Sequence, residues 1–132
     1  MRQQLPGLQG ATPFPEGFFL VRVVWARYRG QGEKPFLMLN LSVIEPVTYA
    51  GRKISTRLYC TEKALWKLNW FLRDFGYDLE LLGRDEIDDN AVVNLRGVGK
   101  LLHSDVNGRS YLNLEGFAPA SQWEEFRLEK AG

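Results

Sequence analysis

Between Lys34 and Cys60 the chain alternates twice. In the first run Leu37, Leu39, Leu41 and Val43 share one side of an extended strand, while Phe36, Met38, Asn40 and Ser42 share the other. Turn-forming material, Glu45-Pro46 and Tyr49-Ala50-Gly51, leads to a second run in which Ile54, Leu58 and Cys60 alternate with Lys53, Ser55, Arg57 and Tyr59. Pairing of the two runs sends the apolar sets toward a core. It leaves Phe36 and Tyr59 on the same surface as Lys53 and Arg57.

Upstream, Gly17–Arg29 (GFFLVRVVWARYR) is rich in β-branched and aromatic residues and reads as a long strand. Phe19, Val21 and Val23 keep one parity, whereas Ala26 and Tyr28 suit the core on the opposite one. A bulge near Val24-Trp25 reconciles the two halves and leaves Trp25 on the surface beside Arg27 and Arg29; an unbroken strand with Trp25 in the core is the alternative. Downstream, Thr61 is suited to cap a helix beginning at Glu62, in which Leu65, Leu68, Leu72 and Phe75 form a stripe widened by Ala64 and Phe71. Gly76 is placed to end it. Trp66 and Trp70 stand one turn apart at the margin of the stripe, where core packing is the expected role for both.

The acidic segment Asp78–Asn90 reads as a solvated connection with a short helical turn near Asp85. Strands follow from Ala91 to Ser104, flexed at Gly97 and Gly99, and from Arg109 to Phe117, on either side of the hairpin signal Asn107-Gly108. In the last of these, Tyr111, Asn113, Glu115 and Phe117 alternate with Leu112 and Leu114. Ser121 and Glu124 have capping-box spacing for a short terminal helix that carries Trp123 and Phe126.

Three strands, one helix and two strands make the element order of the OB-fold, a mainly β, five-stranded Greek-key barrel with its α-helix between strands 3 and 4. A bulged first strand and a glycine-bent fourth are what closing so small a barrel demands. The expected domain occupies residues 17–120. Residues 1–16, with three prolines and three glutamines, read as a flexible arm, and residues 121–132 as a short helix or tail.

A chain of 132 residues with 45% hydrophobic and 25% charged residues fits one soluble domain. Its formal charge of +1 conceals a split. Ten Lys or Arg stand against four acids from Gly17 to Tyr77, and six acids against Arg84 alone from Asp78 to Asn90. The single cysteine and the lack of a signal-like or membrane-spanning apolar run point to a cytoplasmic protein.

Catalytic chemistry finds little foothold, and no enzyme, cofactor or metal is expected. His103 is the only histidine, Cys60 sits on the core parity as an inert thiol, no Cys/His cluster is present, and GVGK at 97–100 lacks the full phosphate-loop spacing. Binding is better supported. OB barrels present the face of strands 2 and 3, edged by the loops joining strands 1 to 2 and 4 to 5. On that face Trp25, Phe36 and Tyr59 are the candidates for stacking bases, and Arg27, Arg29, Lys34, Lys53, Arg57 and Arg109 for holding phosphates.

The phrases EGFFLVRV, KPFLMLNLSVIEP, YAGRKI, LYCT and GRSYLNLEGF, spread over Gly17–Ala118 with one residue before, resemble a phage and prophage family of single-stranded-DNA-binding or unassigned function. The resemblance implies an OB-fold and an association with DNA recombination or replication. The expected partner is therefore single-stranded DNA, or else RNA, with a homo-oligomer possible. A protein-interaction module, docking through a strand edge and the Trp123–Phe126 tail, is the alternative. The ending EKAG lacks the acidic tail with which bacterial single-strand binders recruit partners.

Overall fold

The two alternating runs pair as their pattern predicts. In the computed structural model, which describes residues 15–30, 32–78, 80 and 87–131, β2 (Phe36–Glu45) and β3 (Lys53–Tyr59) are antiparallel with unbroken register from Phe36–Tyr59 to Ser42–Lys53. Most of the expected arm and the position of Asp85 lie outside the described residues. β1 (Gly17–Arg29) lies on the other side of β2, and β4 (Arg96–Val106) and β5 (Arg109–Pro119) complete an antiparallel sheet in the order β3-β2-β1-β4-β5. Among the described residues no ladder joins the two ends, β3 and β5. Helix α1 (Leu65–Asp74) follows β3 and packs against both, filling the space where such a ladder would close a barrel.

β1 is bulged where its pattern changes parity. Val23 pairs with Leu41 and Trp25 with Asn40, so Val24 is the extra residue. The shift turns Phe19, Val21, Val23 and then Ala26 toward the core, and Trp25, Arg27 and Arg29 away from it. Beyond a further shift between Leu20 and Val21, a bulge at Glu115 breaks the register of the last hairpin: Lys100 pairs with Gly116 and Leu101 with Leu114. It turns Phe117 inward, against the outward parity expected of it. There Phe117 meets Phe71 and Phe75 of α1 edge-on at 5.4 and 6.0 Å. Gly97 and Gly99 create room for their neighbours. A Cβ on Gly97 would stand 2.4 Å from the Phe75 ring, and one on Gly99 2.8 Å from Leu114 Cδ1.

α1 begins three residues later than the sequence pattern suggests. Thr61–Ala64 form a turn closed by Ala64 N–H donating to the Thr61 carbonyl, and no side chain caps the helix. Leu68, Phe71, Leu72 and Phe75 are buried, but Leu65 and Trp66 in the first turn stand clear of the sheet. Gly76, at φ +89°, ends the helix as expected: its N–H donates to Arg73 O and that of Tyr77 to Leu72 O, the two bonds of a Schellman motif.

The strand expected from Ala91 starts only at Arg96. Asp88 accepts from Asn90 N–H and starts a helical turn, α2 (Asp89–Val92), which buries Val92. Backbone bonds between Val23 and residues 94 and 95 then tie this connection to the edge of β1 that β4 leaves uncovered. The terminal helix α3 (Trp123–Ala131) packs on the outer side of the sheet. There Trp123, Val98 and Ala118 form a second apolar cluster with Phe18, Leu20 and Phe126. The tail that the sequence offered to a partner is thus spent on the chain's own sheet. Among the described residues no helix is long and apolar enough to cross a membrane.

Candidate nucleic-acid interface

The outer side of the sheet is divided in two. α3 covers the half built from the start of β1 with β4 and β5, while the half built from the end of β1 with β2 and β3 carries no helix among the described residues. Register places the residues of this open half in rows: Trp25–Asn40–Ser55, Arg27–Met38–Arg57 and Arg29–Phe36–Tyr59, with Lys53 opposite Ser42 beyond them. Trp25 is 37% exposed and Tyr59 38%, and Arg27, Arg29, Lys53 and Arg57 are exposed as well. Eight of the nine expected residues therefore share this half or its rim, Lys34 standing at the rim just before β2. Arg109 does not join them. It pairs with Val106, five residues beyond the last contact of β4 with β1, at the opposite end of the sheet from Arg29.

Cations and rings are interleaved in contact. The Arg57 guanidinium lies 4.8 Å from the Phe36 ring centroid, and that of Arg27 5.8 Å from the Trp25 ring. Phe36 and Tyr59 are 5.8 Å apart and tilted by 60°. Phe36 itself is half-buried, so the planes most open to an incoming base are Trp25, Tyr59 and the Arg57 guanidinium, which can stack on a base itself. By strand geometry Trp25 and Tyr59 are roughly 16 Å apart, two strands across and four residues along. In the middle of the face Ser55 Oγ donates to Asn40 Oδ1 at 2.7 Å. Met38, half-buried between Arg27 and Arg57, is an apolar floor that sequence reasoning passed over, although it shares the parity of Phe36.

The acidic connection fences the β1 side. Tyr28 N–H donates to Asp89 Oδ2 at 3.0 Å, which places Asp88 and Asp89 along the margin nearest Arg29. On the β3 side, beyond Tyr59, the face runs into a concavity of about 580 Å³ lined by Lys34, Tyr59, Thr61, Glu62, Lys63 and Ala64.

Of the remaining residues singled out by sequence, Cys60 is half-buried at the end of β3, and burial pushes its thiol pKa up, which suits an unreactive group. His103 N–H donates to Glu16 Oε2 at 2.6 Å on β4. Of the two α1 tryptophans, Trp70 packs against the core as expected and Trp66 does not. Trp70 is half-buried, edge-on to Phe117 at 5.4 Å, and donates its indole N–H to Asp74 Oδ2 at 2.8 Å. Trp66 is 62% exposed and stacks on Trp70 at 6.2 Å. Among the described residues no group of three or more metal-ligating side chains comes together. No protein-family model matches the chain, and no curated protein matches it.

Proposed function

We propose that this protein binds single-stranded DNA without catalysis, through stacking and phosphate contacts on the open half of an OB-fold-like sheet. One observation carries the reading: the only outer surface of β1–β3 left uncovered, among the described residues, is one on which Trp25, Phe36 and Tyr59 alternate with Arg27, Arg29, Lys53 and Arg57. Flat rings suit unpaired bases of any sequence and the cations suit the backbone between them. The strand order supports an OB-fold-like architecture, since β3 and β5 are the two strands whose approach would close the sheet. A role in replication or recombination rests on the resemblance alone.

Titration with oligo(dT) at low salt tests the reading through tryptophan fluorescence. Trp25 is the one tryptophan on the face, so quenching is expected in the native chain and most of it is lost in Trp25→Phe. An unchanged signal at roughly micromolar oligonucleotide, where non-specific binding is already felt, would overturn the proposal. A matched RNA oligonucleotide decides which nucleic acid is preferred. A second reading, a protein-interaction or self-assembly module, is supported by exposed Trp66 and by the outer edges of β3 and β5, which no strand pairs among the described residues. It predicts a stable assembly in sedimentation that is indifferent to oligonucleotide.

A further inference from the structure

We infer that the concavity between the start of β2 and the start of α1 is a nucleotide subsite that continues the proposed binding path past Tyr59, its base resting on Tyr59 and its phosphate held by Lys34 and Lys63. The inference rests on the single-strand reading and adds to it a direction and a residue, Lys63, outside the sheet. Tyr59 belongs to both surfaces: it ends the row Arg29–Phe36–Tyr59 and lines the concavity. A strand lying from Trp25 across Arg57 to Tyr59 therefore meets the concavity next.

Charge favours that direction over the other. Toward β1 the path would run into Asp88 and Asp89, the second anchored by Tyr28 N–H, and a polyanion is repelled there. Toward α1 it meets two lysines, the Thr61 hydroxyl and one opposing carboxylate, Glu62. The volume, about 580 Å³, falls within the range of sites that hold molecules of nucleotide size. Tyr59 supplies a ring wall for a base, and Lys63, which is exposed and makes no ion pair among the described residues, can swing its ammonium to a phosphate.

The test compares variants of the full chain by fluorescence titration with an oligo(dT) of roughly fifteen nucleotides, within the site sizes such folds occupy. Lys63→Glu is expected to weaken binding about tenfold and to flatten the dependence on salt by about one lost phosphate contact. Lys63→Arg should retain affinity. Arg73→Glu makes the same charge change on α1 away from the concavity and should bind as the native chain does. If Lys63→Glu binds like the native chain while Arg57→Glu is weakened, the subsite is wrong and the sheet reading stands. If Arg73→Glu is as damaging as Lys63→Glu, only overall charge matters and the subsite is again wrong. If the native chain does not bind, both fall together.

Discussion

Tyr59 and Phe36 face each other across β2 and β3, yet they are not equivalent. Tyr59 projects from the end of the sheet and is exposed, whereas Phe36 is half-buried beneath the Arg57 guanidinium. Removing the Tyr59 ring costs the fold little, because it is an exposed side chain outside the core, and such changes usually shift stability by less than about 0.5 kcal/mol. The same change removes a stacking plane, so Tyr59→Ala should weaken oligo(dT) binding by roughly 1–3 kcal/mol with an unchanged thermal midpoint. Phe36→Ala strips a partly buried ring and the perch of Arg57, and should lose binding while also lowering the midpoint by a few degrees, as a loss of about 1 kcal/mol does in a domain of this size. Thermal melts beside titrations separate the two. At this scale much of the candidate face is legible: a bulge at the parity change near Val24 puts Trp25 on the surface. Trp66 was not legible, because spacing along α1 gives its angle around the helix but not where the sheet beneath ends.

Among the elements, α3 decides which part of the outer sheet stays open. Trp123 is buried against Val98 and Ala118, and Phe126 meets Phe18 at 4.5 Å. The Trp123 indole N–H, though buried, finds no partner among the described residues, so the ring contributes chiefly through packing. Trp123→Ala should therefore lose about 3–5 kcal/mol. Trp123→Phe should stay within about 1.5 kcal/mol of the native chain, because it keeps most of the ring and removes the unpaired donor. Urea midpoints measured at constant slope check both values. The sequence carried a sign of this cover that alternation alone missed: Phe18 and Leu20 are apolar on the face opposite Phe19 and Val21, and apolar residues on both faces mark a strand covered on both sides. The Glu115 bulge left a fainter sign: Gly116 takes the place of the next apolar residue after Leu112 and Leu114, and a glycine inside a strand often marks a bulge. The packing of Phe117 under α1 shows that the parity changes. Thr61 misled for a related reason: a good capping residue stands there, but the chain spends one more turn leaving β3 before the helix can lie over Phe117.

For the whole molecule, the near-neutral total charge is a poor guide to how the protein should respond to salt, because cations are gathered on the open half while Asp88 and Asp89 lie along its β1 margin. A single strand bound as proposed would meet Arg27, Arg29, Lys53 and Arg57 on the open half, and the proposed subsite would add Lys34 and Lys63. If three to five of these six neutralise phosphates, log K should fall with log salt at a slope of about −2 to −3.5, the value for single strands at that number of contacts. Between 50 and 200 mM salt that amounts to a loss of roughly 15- to 100-fold in affinity. Stacking on Trp25 and Tyr59 contributes a share that salt barely touches, so binding should persist, weakened, rather than vanish. An interaction module working through strand edges would behave differently: its assembly constant would hold or rise over the same range, because apolar burial is strengthened by excluded salts. A slope near zero, with affinity retained, would mean that the cations beside the rings remain solvated when the ligand is bound. The face would then be reading something other than a phosphate backbone.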